Sequence, residues 1–375
     1  MSAPPWALVL AVAACLGVAA SASAAPAPAP RLLDLRDGAA NAATGARITA
    51  VNAWWESANP DRRPCRKCEI RPPGSSLVWT YYRRQGFFPN WVRAARDLLR
   101  RERAGKLASF RAGVDEIVRF SSRRTSPSGV TYRINESPYL APDSTPPPWR
   151  DAMGQGLILT LLAETLPQNP TAQELARART LATEYLNSFL VHWSEGGIAA
   201  HGSAGGRWFL EYASAKGDRA RVLNGFMQTL VSLDRFASQA DALSADPGWA
   251  ALRDRARGYV RDGALELDAH LDEYDYGKDQ LSKYSLARPD PAPPVYQTYH
   301  RQLLLRLQDI NYLPQDWRDH FSGMRVQWGG KPDPGWFRWW MAALALLAAL
   351  IVALIVRRRR VVRRGSRPVL VHESV

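Results

Sequence analysis

The sequence predicts a mainly α-helical domain of helical hairpins, arranged as an (α/α) toroid that need not close on itself. Three observations predict it. Apolar residues recur at spacings of three and four over most of the stretch from Pro89 to Gln308. The connections between these periodic segments are rich in glycine and aromatic residues, as helical hairpins in a ring require. Alternating, strand-like pattern is confined to short stretches. A plain helical bundle is the alternative architecture.

The elements follow in chain order. Leu77–Tyr82 reads as a short strand. Pro89–Glu102 reads as a helix, with Trp91, Val92, Ala95, Leu98 and Leu99 on one face, and Leu107–Phe120 continues the period. Ser128-Gly129 is a turn signal and Val130–Ile134 alternates, which predicts a small hairpin or flap. Ala152–Glu164 is apolar almost all round and reads as a buried helix. Thr171–Val191 opens on a capping box, Thr171-x-x-Glu174. Asn224–Phe236, Gly248–Asp272 and Tyr299–Gln308 complete the helical set.

The ends predict a compartment. The apolar run Trp6–Ala20 leads into Ala22-Ser23-Ala24, a secretory signal pattern over residues 1–24. A lipid-modified Cys15 is the competing reading of the same stretch. Residues 25–76 read as a linker and N-terminal loops, and residues 77–320 as the catalytic body. Trp339–Val356 is an uninterrupted apolar run, and with Trp336 and Phe337 the stretch 336–356 is long enough to span a bilayer, fronted by Trp336, Trp339 and Trp340. The tail 357–375 carries seven arginines against one glutamate, a stop-transfer cluster on the cytoplasmic side. A bacterial cell-membrane protein follows, with a single span and a periplasmic or cell-surface body. Cys65 and Cys68 then read as a local disulfide, since no second Cys or His pair completes a zinc site.

The formal charge is +14, of which about +8 lies outside the tail. A basic body suits an anionic partner, and the topology disfavours nucleic acid. Fourteen tryptophans and thirteen tyrosines favour a saccharide, whose rings stack on flat aromatic faces. The partners expected are an acidic polysaccharide and the membrane, with self-association as a homodimer left open. No phosphate loop, dinucleotide fingerprint or metal-ligand cluster is present, so no cofactor is expected. One region concentrates chemistry. Trp208–Tyr212, Val222–Phe226 and the tyrosine-rich segments from Glu273 to His300 place one glutamate, several tyrosines and an asparagine in succession.

These residues carry a resemblance. Trp149–Gly156 resembles the W-x-S-A-M-A-Q-G run of D-glucuronyl C5-epimerases, which convert D-glucuronate to L-iduronate in heparan-type polysaccharides. Glu211-Tyr212 with Val222-Leu223-Asn224-Gly225-Phe226 resembles the family's E-Y and V-L-N-G-F block. Lys283–Leu286 resembles its x-Y-D-L, Tyr299-His300 its late Y-H pair, and Arg84–Pro89, more weakly, its Q-G-Y-F-Y-P. Ser285 stands where the family has aspartate, and Ala287 where it has arginine, with Arg288 one place later.

The resemblance implies a uronyl C5-epimerase, an isomerase. Glu211 and Tyr299 would be its acid/base pair, Tyr212 and Tyr284 would assist, and Asn224 and Arg288 would contact the substrate. Arg150, Arg207 and His300 are added from the residues themselves as a clamp for the substrate carboxylate. Asp151 reads as a helix cap, and Asn224 has capping as its structural alternative. A tyrosine serving as base would need a depressed pKa, which a basic body favours. A polysaccharide lyase and a non-catalytic, membrane-tethered polysaccharide-binding protein are the competing readings. A glycosidase would need a second carboxylate, for which Asp275 and Asp279 are the nearest choices.

Overall fold

The computed structural model describes residues 38–58, 68–82, 85–141, 145–166, 170–214, 220–277 and 281–329. The expected signal, Cys15, Cys65, Asp279, the predicted span and the basic tail lie outside the described residues. Among the described residues no helix is long and apolar enough to cross a membrane. Cys68 is disulfide-bonded.

Nine α-helices are described: α1 (Gly38–Ala58), α2 (Trp91–Arg103), α3 (Leu107–Phe120), α4 (Ala152–Glu164), α5 (Ala172–Asn187), α6 (Leu223–Asp241), α7 (Pro247–His270), α8 (Pro294–Gln308) and α9 (Gln315–Gln327). The chain is mostly helical, with small sheets between the helices. From α2 onward the helices pair as α2/α3, α4/α5, α6/α7 and α8/α9. The first member of each pair packs on the first member of the next, α2 on α4, α4 on α6 and α6 on α8. The second members stand behind them, with α5 against α7 and α7 against α9. The result is an inner and an outer row of helices.

Local chemistry sets the helix starts. Asn90 caps α2 by accepting from Arg93 N, and the predicted capping box on α5 is complete at Thr171 and Glu174. Asp246 caps α7 through Gly248 N and Trp249 N, with Pro247 in its first turn. α4 is buried on nearly every side, as its apolar sequence requires. It is the central inner helix, and Gly156 lets α6 approach to where a side chain would meet Ser232 Cβ at 3.0 Å.

Among the described residues the connections form five antiparallel units. These are β1–β3 (Glu69–Ile70, Trp79–Tyr82, Gly86–Pro89), β4/β5 (Ser122–Thr125, Thr131–Ile134), β6/β7 (Glu136–Ser137, Trp149–Arg150), β8/β9 (Ala199–His201, Arg207–Phe209) and β10/β11 (Lys283–Ser285, Arg288–Pro291). β4/β5 is the expected hairpin, with Gly129 at φ 82° in its turn.

Two expectations are corrected. The segment expected to be linker and loops contains α1. Its apolar signal is sparse, but Ile48 and Val51 are buried and Trp55 meets the Phe87 ring edge-on at 4.8 Å. Asn52 then ties α1 to β3, donating to Phe87 O and accepting from Phe87 N. At the other end the body runs past 320 through α9. This helix is largely polar and buries Phe321 and Met324, a face too narrow to stand out as a period.

Candidate active site

The site is assembled at the N-terminal ends of the inner helices. The chain leaving β9 is stitched to the entry of α4: Ala152 N donates to Leu210 O, Arg150 N to Ala213 O and Ala213 N to Arg150 O. Glu211 and Tyr212 are therefore fixed beside the start of α4. The start of α6 is fixed independently. Arg221 holds a left-handed φ of 41°, its guanidinium lies over Trp208 at 5.3 Å, and Tyr274 O–H donates to its carbonyl at 2.5 Å. Backbone strain at this residue is thus held from both sides. It sets Gly225 against Glu211.

Gly225 is where the two meet. A Cβ there would stand 2.0 Å from Glu211 Oε2 and 2.7 Å from Glu211 Cβ. The glycine is needed for space rather than for its φ. The buried Glu211 carboxylate lies against the first turn of α6, where the helix dipole favours an anion.

Tyrosines surround this carboxylate. Tyr212 is buried and meets Trp149 edge-on at 5.1 Å. Its phenol lies beside that of Tyr284, whose ring meets Tyr296 at 4.8 Å. Burial raises the pKa of Tyr212, and the Glu211 charge and the Tyr284 phenol add to it. Burial also raises Tyr284, again with Glu211 adding. Tyr299 reaches in from α8. It receives a hydrogen bond from Arg96 Nη2 on α2 at 2.5 Å and donates to Gln228 Oε1 on α6 at 2.5 Å. The Arg96 guanidinium also sits 5.3 Å from the Tyr299 ring centre. Burial raises the Tyr299 pKa, Arg96 opposes, and Glu211 adds. All three phenols therefore stay protonated at neutral pH. This runs against the expectation of a tyrosine whose pKa is depressed.

Asn224 lies in the first turn of α6 but does not cap it, since Val222 holds the cap position. Its Oδ1 is buried without a hydrogen-bond partner. Four residues on, Gln228 shares the same face of the helix.

Three of the expected clamp residues point elsewhere. In β7, Trp149 packs on Tyr212, and strand alternation turns Arg150 to the opposite face. There its Nη2 donates to Trp193 O at 3.0 Å. Arg207 pairs with Asp262 at 3.2 Å and stacks over Tyr259 at 5.2 Å, on the side of α7. His300 is fully buried, its Nδ1 is 2.7 Å from Ser282 Oγ, and burial lowers its pKa to about 3. One residue beyond Tyr299 on a helix is a turn of roughly 100°, enough to send it into the core as a neutral ring. Arg288 lies in β11, paired with Ser285. Asp275 accepts from Gln327 and Trp328 and so braces α9.

Two site residues escaped the sequence reading, Arg96 and Gln228; Asp151, read there as a helix cap, holds the N-cap position of α4 without a side-chain capping hydrogen bond. Asp151 shares the Trp149 face of β7. It is buried, and its Oδ1 lacks a partner. A Cβ on Gly154 would come within 3.0 Å of its Oδ2. Burial raises its pKa to about 7, against the N–H groups of Gly154 and Met153 and the charge of Arg96. Between the ordinary carboxylate value and about 7, the folded protein thus holds a proton that the unfolded chain has released. Stability falls as pH rises through that window, by about 1.4 kcal/mol per pH unit. Asp151→Asn removes the dependence, so its stability relative to wild type should climb with that slope between pH 4.5 and 6.5. Denaturant unfolding at both pH values measures it, and a constant offset would show Asp151 ionised throughout.

Among the described residues no group of three or more His, Cys, Asp or Glu could hold a metal ion. No curated protein matches the chain. Residues 128–328 match the family model described as D-glucuronyl C5-epimerase C-terminus. That match takes in β5 through α9 and every residue of the site except Arg96. With more than half of its 375 residues matched, the chain belongs to the D-glucuronyl C5-epimerase C-terminus family.

Proposed function

We propose that the protein inverts C5 of a uronate in an acidic polysaccharide, of the D-glucuronate to L-iduronate type, on an open (α/α) toroid of four hairpins. One observation carries the reading: a buried carboxylate, Glu211, lies within electrostatic reach of the Tyr299 phenol and raises its pKa, and that phenol is hydrogen-bonded to a guanidinium. Glu211 takes the C5 proton, and the electron pair passes into the uronate carboxylate. Tyr299 returns a proton to the opposite face of C5. Arg96 stabilises the tyrosinate left behind, and the reverse reaction exchanges the two roles. Tyr212 and Tyr284 act as protonated donors toward the developing charge. Asn224 and Arg288 contact the sugar.

The same reading keeps the body outside the cytoplasm, led there by residues 1–24 and tethered by residues 336–356. The disulfide at Cys68 supports an oxidising compartment. A lyase would share the proton abstraction but expel the 4-O substituent. Incubation of the protein with glucuronan- and heparosan-like polymers in deuterated water, followed by NMR, separates the outcomes. Deuterium at C5 with inverted sugars and no unsaturated ends is expected. Unsaturated ends would establish a lyase, and unchanged polymer would count against both.

A further inference from the structure

We propose that the space between the inner helices α2, α4, α6 and α8 is a track for further anionic sugars of the polymer whose uronate reacts at Glu211 and Tyr299. The inference rests on the proposed function for the reacting sugar, and on separate residues for the track.

A cleft of about 530 Å³ opens there, lined by Arg93, Arg96, Arg100, Arg103, Arg235 and Arg306, with Glu69 the one carboxylate among its lining residues. The local anions do not balance these charges. Arg93 pairs with Glu69, and Arg235 with Glu164 at 2.7 Å. Arg100 is 72% exposed and 3.7 Å from Asp97, which is already held by Arg71 and Arg101. Arg96 is spent on the neutral phenol of Tyr299. Arg103 and Arg306 have no ion pair among the described residues. Like charges gathered around one concave space repel, and a bound anion relieves that repulsion. Arginine also suits the task, since its planar fork matches carboxylate and sulfate oxygens.

The spacing gives the track its direction. Arg93, Arg96, Arg100 and Arg103 fall at intervals of three, four and three, which is one stripe along α2. From Arg93 to Arg103 the helix rises about 15 Å, more than one sugar ring needs. Arg96 joins the stripe to the reaction site through Tyr299, and Arg306, seven residues beyond Tyr299, faces the far end from α8. The track therefore runs from the proton carriers along the inner row of helices. Its ligand is a chain carrying carboxylates or sulfates on successive sugars.

The test uses the full chain in detergent with Arg103→Glu/Arg306→Glu, both on exposed side chains, Arg306 lying within electrostatic reach of Tyr299. Binding of a heparosan-like decasaccharide and of a disaccharide from the same polymer is measured by calorimetry at two salt concentrations, in a Glu211→Gln background. The decasaccharide should bind at least tenfold more weakly and with a shallower salt dependence, while the disaccharide is unaffected. An N-sulfated decasaccharide run beside it shows whether sulfates or carboxylates occupy the distal end. A milder pair, Arg103→Gln/Arg306→Gln, should give the same ordering with a smaller loss. Equal decasaccharide affinity in wild type and both variants would overturn the track. C5 exchange by the protein without the Glu211 substitution reports on the reaction separately. Absent exchange with arginine-dependent binding would uphold the track and reject the epimerase reading, and the converse would do the opposite.

Discussion

Glu211→Gln should lower C5 exchange from a D-glucuronate polymer by about 10²–10⁴-fold, the range for loss of a general base, while the protein stays folded. Glutamine keeps the shape of the side chain that lies on Gly225, so packing is preserved and only the proton acceptor is lost. Polymer affinity should change little, because the track arginines are untouched. The contribution of Tyr299 differs in kind. Its phenol is protonated and backed by Arg96, which suits it to delivering a proton rather than removing one. Exchange activity that survives Glu211→Gln would move the base elsewhere, with Asp151 the next carboxylate in the site.

Gly225→Ala should damage both stability and activity. The new methyl would stand 2.0 Å from Glu211 Oε2 and 2.7 Å from Glu211 Cβ, and the buried surroundings of Glu211 and Gly225 leave little room for either to yield. Overpacking of this kind costs about 1–3 kcal/mol. A displacement of the carboxylate by even 1 Å costs on the order of 10²-fold in rate. Thermal unfolding and C5 exchange measured together check both. An alanine variant with wild-type activity would mean that Glu211 works from some other position.

The sequence was most legible where a single period dominates. α3 and α4 begin and end where their apolar patterns do, and the capping box of α5 reads directly from Thr171 and Glu174. The family was legible because its motifs are local and ordered along the chain. The errors share a different origin. β7 is two residues long, too short for alternation to show, so Arg150 could not be seen to point away from Trp149 and Asp151. His300 adjoins Tyr299 in sequence but is turned into the core by the helix that carries both. α1 and α9 bury few side chains each and leave little periodic contrast. The arginine stripe on α2 could have been found, since its 3-4-3 spacing is visible in the sequence. It lies on the exposed face of a helix otherwise recognised by its buried one.

The central claim is that Glu211 and Tyr299 carry protons on opposite faces of one carbon. The most direct measurement is C5 deuteration and inversion, read in one NMR experiment on a D-glucuronate polymer treated with Tyr299→Phe in deuterated water. Deuterium should enter C5 of D-glucuronate through Glu211 with no L-iduronate formed. Inversion at the wild-type rate would contradict the assignment of Tyr299 as the second proton carrier.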